Sequence, residues 1–170
     1  MIDGVGPDTR VRPVSLISRR ASYGLRTMVR LAELAPEGER ATTAWLAERE
    51  QLPRKYLEQV LRDLKQAGLV TSRPGPQGGS RLARPAEEIS VGEVVRALDG
   101  ELQPGHCFEE AHGIDEADCP GCWGMTTCSM REIWLELGAA MSRVLDGTSI
   151  AELTRRQHEL VAASAQDYQI

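Results

Sequence analysis

The stretch Leu52-Pro53-Arg54-Lys55-Tyr56-Leu57-Glu58-Gln59-Val60-Leu61-Arg62-Asp63-Leu64-Lys65-Gln66-Ala67-Gly68 carries two signals at once. Leu57, Val60, Leu61 and Leu64 recur at i, i+3, i+4 and i+7, which places them on one face of a helix. Pro53 suits the first helical position, and Gly68 is placed to end the helix. With the leucine face turned inward, Arg54, Lys55, Tyr56, Glu58, Gln59 and Arg62 form the outer face. An apolar stripe backed by side chains that can bond base edges is the composition of a recognition helix.

The flanking segments complete a module around that helix. Leu25, Met28, Val29 and Ala32 predict a helix from about Arg20 to Ala35, stopped at Pro36-Glu37-Gly38. Thr42 or Thr43 caps a short helix through Trp45, Leu46 and Ala47, with a break at Gln51-Leu52. Two helices joined by a short turn make a helix-turn-helix. Downstream, Leu69 to Ser72 and Ser80 to Leu82 read as short strands around the Gly/Pro-rich tip Arg73 to Gly79, a β-hairpin wing. Ser90-Val91-Gly92-Glu93 is a capping box opening a helix with Val91, Val94, Val95 and Leu98 inside and Gly100 at its end.

From Glu101 to Thr127 periodicity vanishes. A second capping box, Ser129-Met130-Arg131-Glu132, is expected to open the longest helix, and a third, Ser149 to Glu152, the last one. Met130, Trp134, Leu137, Met141 and Val144 alternate by four and three, a seam suited to pairing with another helix. The expected organisation is an N-terminal extension over 1–17, a winged helix-turn-helix over 18–100, a cysteine-rich loop over 101–128, pairing and C-terminal helices over 129–164, and a tail over 165–170. The fold class is mainly α, with a small β-hairpin wing.

Charge divides along the same line. Residues 19–84 hold 13 Lys/Arg against 7 Asp/Glu, whereas residues 85–170 hold 5 against 16. The basic half is the one suited to a polyanion, which makes double-stranded DNA the expected partner. Lys55, Arg19, Arg20 and Arg26 are candidates for phosphate contacts, and Arg73 and Arg81 flank a wing that can reach a minor groove. No apolar run approaches the roughly 20 residues that span a bilayer, and residues 1–17 lack the apolar block of a signal peptide. The expected location is therefore the cytoplasm. No nucleophile–base pair, phosphate loop or substrate site emerges, so catalysis is not expected.

All four cysteines lie in one segment, as Cys107-x11-Cys119-x2-Cys122-x5-Cys128. Confined thiols in a reducing compartment point to metal or redox chemistry before disulfides. Thiolates suit an iron–sulfur cluster or, as the alternative, zinc; a metal-free thiol switch remains a third option. Cys128 stands just before a helix start, where the positive end of the helix dipole favours thiolate.

The run Ser22-Tyr23-Gly24-Leu25-Arg26, the Tyr56-Leu57-Glu58-Gln59 helix, Ala67-Gly68-Leu69-Val70, Gly78-Gly79, Leu82-Ala83-Arg84-Pro85 and Ala97-Leu98-Asp99 together resemble the IscR/NsrR family of winged-helix transcription regulators. The resemblance spans about residues 16–153. It implies a homodimer joined through the helix after the cysteine loop, a cluster of the 2Fe-2S or 4Fe-4S type held by that loop, and DNA affinity set by the cluster's state. It also implies that Glu58 helps choose operators. Where some relatives place an acidic ligand and others a histidine, this chain has Ser22 and Arg131, and Cys107 is available to complete an all-cysteine set. A redox or metal-handling protein whose winged helix binds proteins is the alternative from another class.

Overall fold

The computed structural model describes residues 16–75, 78–101 and 128–167. Cys107, Cys119 and Cys122 lie outside the described residues, as do most of the N-terminal extension, the wing-tip pair Pro76 and Gln77, and the last three residues of the tail.

Among the described residues, six α-helices and one hairpin carry the fold. Helix α1 spans Arg19–Leu34 and opens one residue earlier than the apolar stripe predicts, because the Ser18 hydroxyl caps it by accepting the Ala21 amide at 3.1 Å. A single turn, Ala35–Glu37, ends at Gly38 with φ 70°, in the left-handed region glycine favours. Helix α2, Thr43–Glu50, is capped by Thr42, whose hydroxyl accepts the Trp45 amide. Helix α3, Arg54–Gln66, buries Leu57, Val60, Leu61 and Leu64, the four residues the periodicity selects. Pro53 stands as its cap and not, as expected, inside its first turn.

Strands β1 (Val70–Arg73) and β2 (Gly79–Leu82) pair antiparallel, with Val70 opposite Leu82 and Arg73 opposite Gly79. Ala41 adds a bridge to Ser80 through two backbone hydrogen bonds of 2.8 and 2.9 Å. A Cβ at Gly79 would run into the Ala41 carbonyl, so glycine is what lets this strand approach the turn before α2.

Helix α4, Val91–Asp99, has the full capping box read from its sequence. The other two boxes differ. Helix α5, Ser129–Asp146, is preceded by Cys128 as its cap residue with no side-chain cap bond; Ser129 is already helical, so its hydroxyl cannot serve the exposed amides. At helix α6, Ile150–Asp167, Ser149 accepts the Glu152 amide at 3.1 Å, but the Glu152 carboxylate turns to Arg155 and Arg156. These two helices have 18 residues each, so α5 is not alone the longest.

The core gathers Met28 and Leu31 of α1, Leu46 of α2, the α3 leucines, Leu69, Ile89, and Val94, Val95 and Leu98 of α4. Ile150, fully buried at the start of α6, completes it, held by its amide on the Ile89 carbonyl at 2.8 Å. Helix α5 stands apart. Among its residues only Gly138 is buried, while Met130, Ile133 and Val144 are 52%, 55% and 67% exposed. Arg96 of α4 pairs with Asp146 at the far end of α5. Helices α2 and α3 with the β1–β2 hairpin form a winged helix-turn-helix. None of the helices is long and apolar enough to cross a membrane among the described residues.

Candidate nucleic-acid interface and cysteine segment

An open groove of about 510 Å³ runs between α3, the wing and the start of α2. Its walls carry Arg54, Arg62 and Lys65 from α3 and Arg73 from β1, with Glu58 as the one acid. Thr42, Thr43 and the hydrogen-bonded pair Ser72–Ser80 (2.9 Å) supply hydroxyls. The α3 residues share a side because intervals of four, seven, eight and eleven return close to whole turns of 3.6 residues. Arg54 Nε donates to Glu58 Oε1 at 3.0 Å, in an exposed pair. Such a pair is worth a few tenths of a kcal/mol, so a phosphate or base edge competes with it readily. Arg62, Lys65 and Arg73 are exposed and make no ion pair among the described residues.

Not every residue expected at the DNA surface is brought to this groove. Lys55 and Gln59 are exposed on the adjoining face of α3. Tyr56 is half-buried, packed edge-on against Tyr23 at 6.0 Å between ring centroids, and so braces α3 against α1 instead of standing free on the outer face. Arg81 alternates with Ser80 along β2 and points to the opposite side of the hairpin.

The α1 arginines divide further. Arg19 is exposed. Arg20 pairs with Asp63 of α3 and donates to the Leu98 carbonyl at 3.4 Å. Arg26 and Arg30 converge on Glu50, at 2.6 and 3.0 Å, and Glu50 is only 3% exposed. A buried carboxylate needs partners of opposite charge, which Arg26 and Arg30 supply, although the Arg26 side chain is itself 56% exposed. Arg20 and Arg26, both expected at phosphate, each pair with an acid of this chain, as Arg54 does with Glu58.

Sequence reasoning missed Lys65, Thr42, Thr43 and Ser72 as groove residues, and Glu50 as a buried acid. The spacing offered signals for two of them. Lys65 lies eleven residues, about three turns, after Arg54, and Glu50 lies four after Leu46, on the apolar side of α2.

Cys128 is half-buried at the N-terminus of α5, where the first amides of the helix have no side-chain acceptor from the cap. Arg131, whose amide donates to the Cys128 carbonyl at 3.1 Å, has a buried Nε with no acceptor among the described residues. Arg131 thus lies in the first turn of α5, three residues after the thiol, where the positive helix end favours an anionic group.

The family model of Rrf2, described as an iron-dependent transcriptional regulator, matches residues 17–156. The chain belongs to the Rrf2 family. It is 37% identical over 139 residues to protein rrf2 of Nitratidesulfovibrio vulgaris, covering 82% of this chain and 87% of that one. To the HTH-type transcriptional regulator IscR of Aliivibrio salmonicida it is 36% identical over 137 residues, covering 81% and 76%. Among solved structures, CymR, the global cysteine regulator of B. subtilis, superposes with a TM-score of 0.65 at 29% identity, over 85% of this chain and 98% of that one. Membership of Rrf2 makes this a DNA-binding transcriptional regulator and not an enzyme. In a helix-turn-helix the second helix is the one that enters the major groove, and here that helix is α3.

Proposed function

We propose that this Rrf2 protein is a cytoplasmic homodimer that binds a DNA operator through two winged modules, its grip governed by an iron–sulfur cluster on Cys107, Cys119, Cys122 and Cys128. The observation that carries the reading is Cys128 at the root of α5, with the buried, unaccepted Nε of Arg131 one turn away. The donor set fits the group: four thiols within 22 residues, one of them at a positive helix end. Bound there, a 2Fe-2S or 4Fe-4S cluster supplies redox chemistry and reactivity toward nitric oxide.

This chain's own residues do the rest. Arg54 and Gln59 read guanine and adenine edges in the major groove, and Glu58 selects among operators by accepting from cytosine. Arg62, Lys65 and Arg73, with Lys55 and Arg19 outside the groove, neutralise phosphates and set position; Arg81 serves the outer side of the wing. Trp134, Leu137 and Met141, with Met130 and Val144, form the seam to the partner's α5. Because Cys128 opens that same helix, a change at the thiols alters the spacing of the two modules.

The test is anaerobic isolation followed by an absorption spectrum, iron and acid-labile sulfide analysis, and operator binding before and after removal of the cofactor. Coloured protein with iron and sulfide, and a difference in affinity between the two forms, is the expected result. Colourless protein with stoichiometric zinc would remove the sensor mechanism and leave the regulator intact. A second reading, a zinc site or metal-free thiol switch in the same loop, draws support from the similarity to a protein named for cysteine regulation. In that case thiol oxidation, with no iron present, changes the affinity.

A further inference from the structure

We propose that Arg20 is a positioning residue that fixes the recognition helix from behind, through Asp63, and makes no contact with DNA. Three helices meet at this point. The α1 cap, Ser18, donates its amide to Asp99 at 2.8 Å and its hydroxyl to the other oxygen of the same carboxylate. Two residues on, Arg20 donates to the Leu98 carbonyl and pairs with Asp63. The start of α1 is thereby tied both to the end of α4 and to the flank of α3.

The geometry separates this joint from the groove. Asp63 follows Arg54 by nine residues, about two and a half turns, so it lies half a turn round the helix from the groove side. No residue lining the hollow around Arg20, Asp63 and Ala97 lines the groove as well. Asp63 is also the more enclosed partner, its side chain 27% exposed against 40% for Arg20. Removing the arginine leaves a partly buried carboxylate without its cation and loosens the hold of α1 on this flank of α3, which frees α3 to shift. A shift of α3 displaces every side chain that reads bases.

The joint also sits where the cysteine segment begins. Asp99 is the last residue of α4, and Gly100 turns the chain away with φ 83°. A displacement of that end is passed through Ser18 and Arg20 to Asp63. This regulatory consequence rests on the cofactor reading above; the assignment of Arg20 does not.

The experiment uses the full chain, its selected operator and an unrelated duplex, with affinities measured over a salt series. Arg20→Gln and Asp63→Asn should each weaken operator binding by about fivefold and leave the log K against log salt slope unchanged. The double change should be no worse than either single one, and the reversed pair, Arg20→Asp with Asp63→Arg, should restore binding. A slope reduced by about one for Arg20→Gln, together with tighter binding for Asp63→Asn, would overturn the proposal, because loss of a carboxylate beside a phosphate must help. Additive losses without rescue would overturn it equally. In Asp63→Asn the affinity ratio between cofactor-loaded and stripped protein should shrink toward one. A ratio of one already in the unaltered protein sinks the cofactor reading, while slope and rescue still decide the role of Arg20.

Discussion

Glu93 stands in the first turn of α4, accepting the Ser90 amide at 2.9 Å and the Arg84 guanidinium at 2.7 Å. Its carboxyl is held below the usual range, chiefly by the Ser90 amide, with burial opposing and Arg84 assisting. A depressed folded pKa stabilises the protein fully above the unfolded value of about 4.3 and is lost as pH falls through the folded one. Glu93→Gln keeps an acceptor for the Ser90 amide but loses the charge, so it should cost only about 0.5 kcal/mol at neutral pH, solvent screening the Arg84 pair. In urea melts across an acid series, its gap to the unaltered protein should close below that range. In the groove, Arg62→Ala should weaken binding to all duplexes alike and lower the salt slope by about one, whereas Glu58→Ala should change which sequences are enriched from random duplexes. Residue roles were only partly legible beforehand. The Ser90 box has the right spacing after the right turn and forms; Ser129 to Glu132 has the same spacing, but the helix begins on Ser129 itself and the hydroxyl has no amide to accept.

Helix α1 lies against α4 at Gly24, where an added Cβ would overlap Leu98 Cδ1. Alanine normally improves a helix interior by up to about 1 kcal/mol, but overfilling a packed core costs about 1–3 kcal/mol. Gly24→Ala is accordingly expected to lower stability by about 1 kcal/mol, read as a fall in denaturation midpoint. The elements themselves were largely written in the sequence. The α3 stripe, the stop at Gly68 and the hairpin follow from apolar period and turn chemistry, which are local. The direction of the α1 arginines is not local. Charge identifies a cation but not its partner, and Glu50 and Asp63 come to Arg26 and Arg20 only through the packing of α2 and α3 on α1.

At the scale of the whole molecule, α5 presents Met130, Ile133 and Val144 to solvent beside the half-buried Trp134 and Leu137. An apolar face of that extent on a helix with one buried residue is suited to a second copy. Ile133→Asp together with Val144→Asp should convert the proposed dimer to monomers in sedimentation velocity and reduce operator affinity by at least about tenfold, since one module then grips one half-site. A dimer that persists would place the interface elsewhere. Cys128→Ala should leave the proposed dimer intact while abolishing the visible absorption expected of the proposed cluster.

Ile150 has a consequence for how the protein is made. Its fully buried side chain closes a core otherwise supplied by residues that precede residue 100, and its amide is tethered to Ile89. During synthesis, which proceeds at about 5–20 residues per second, the DNA-reading unit stays open at that seat until the ribosome has also delivered every cysteine. The nascent reader is thus completed only on a chain that already carries all four cysteines.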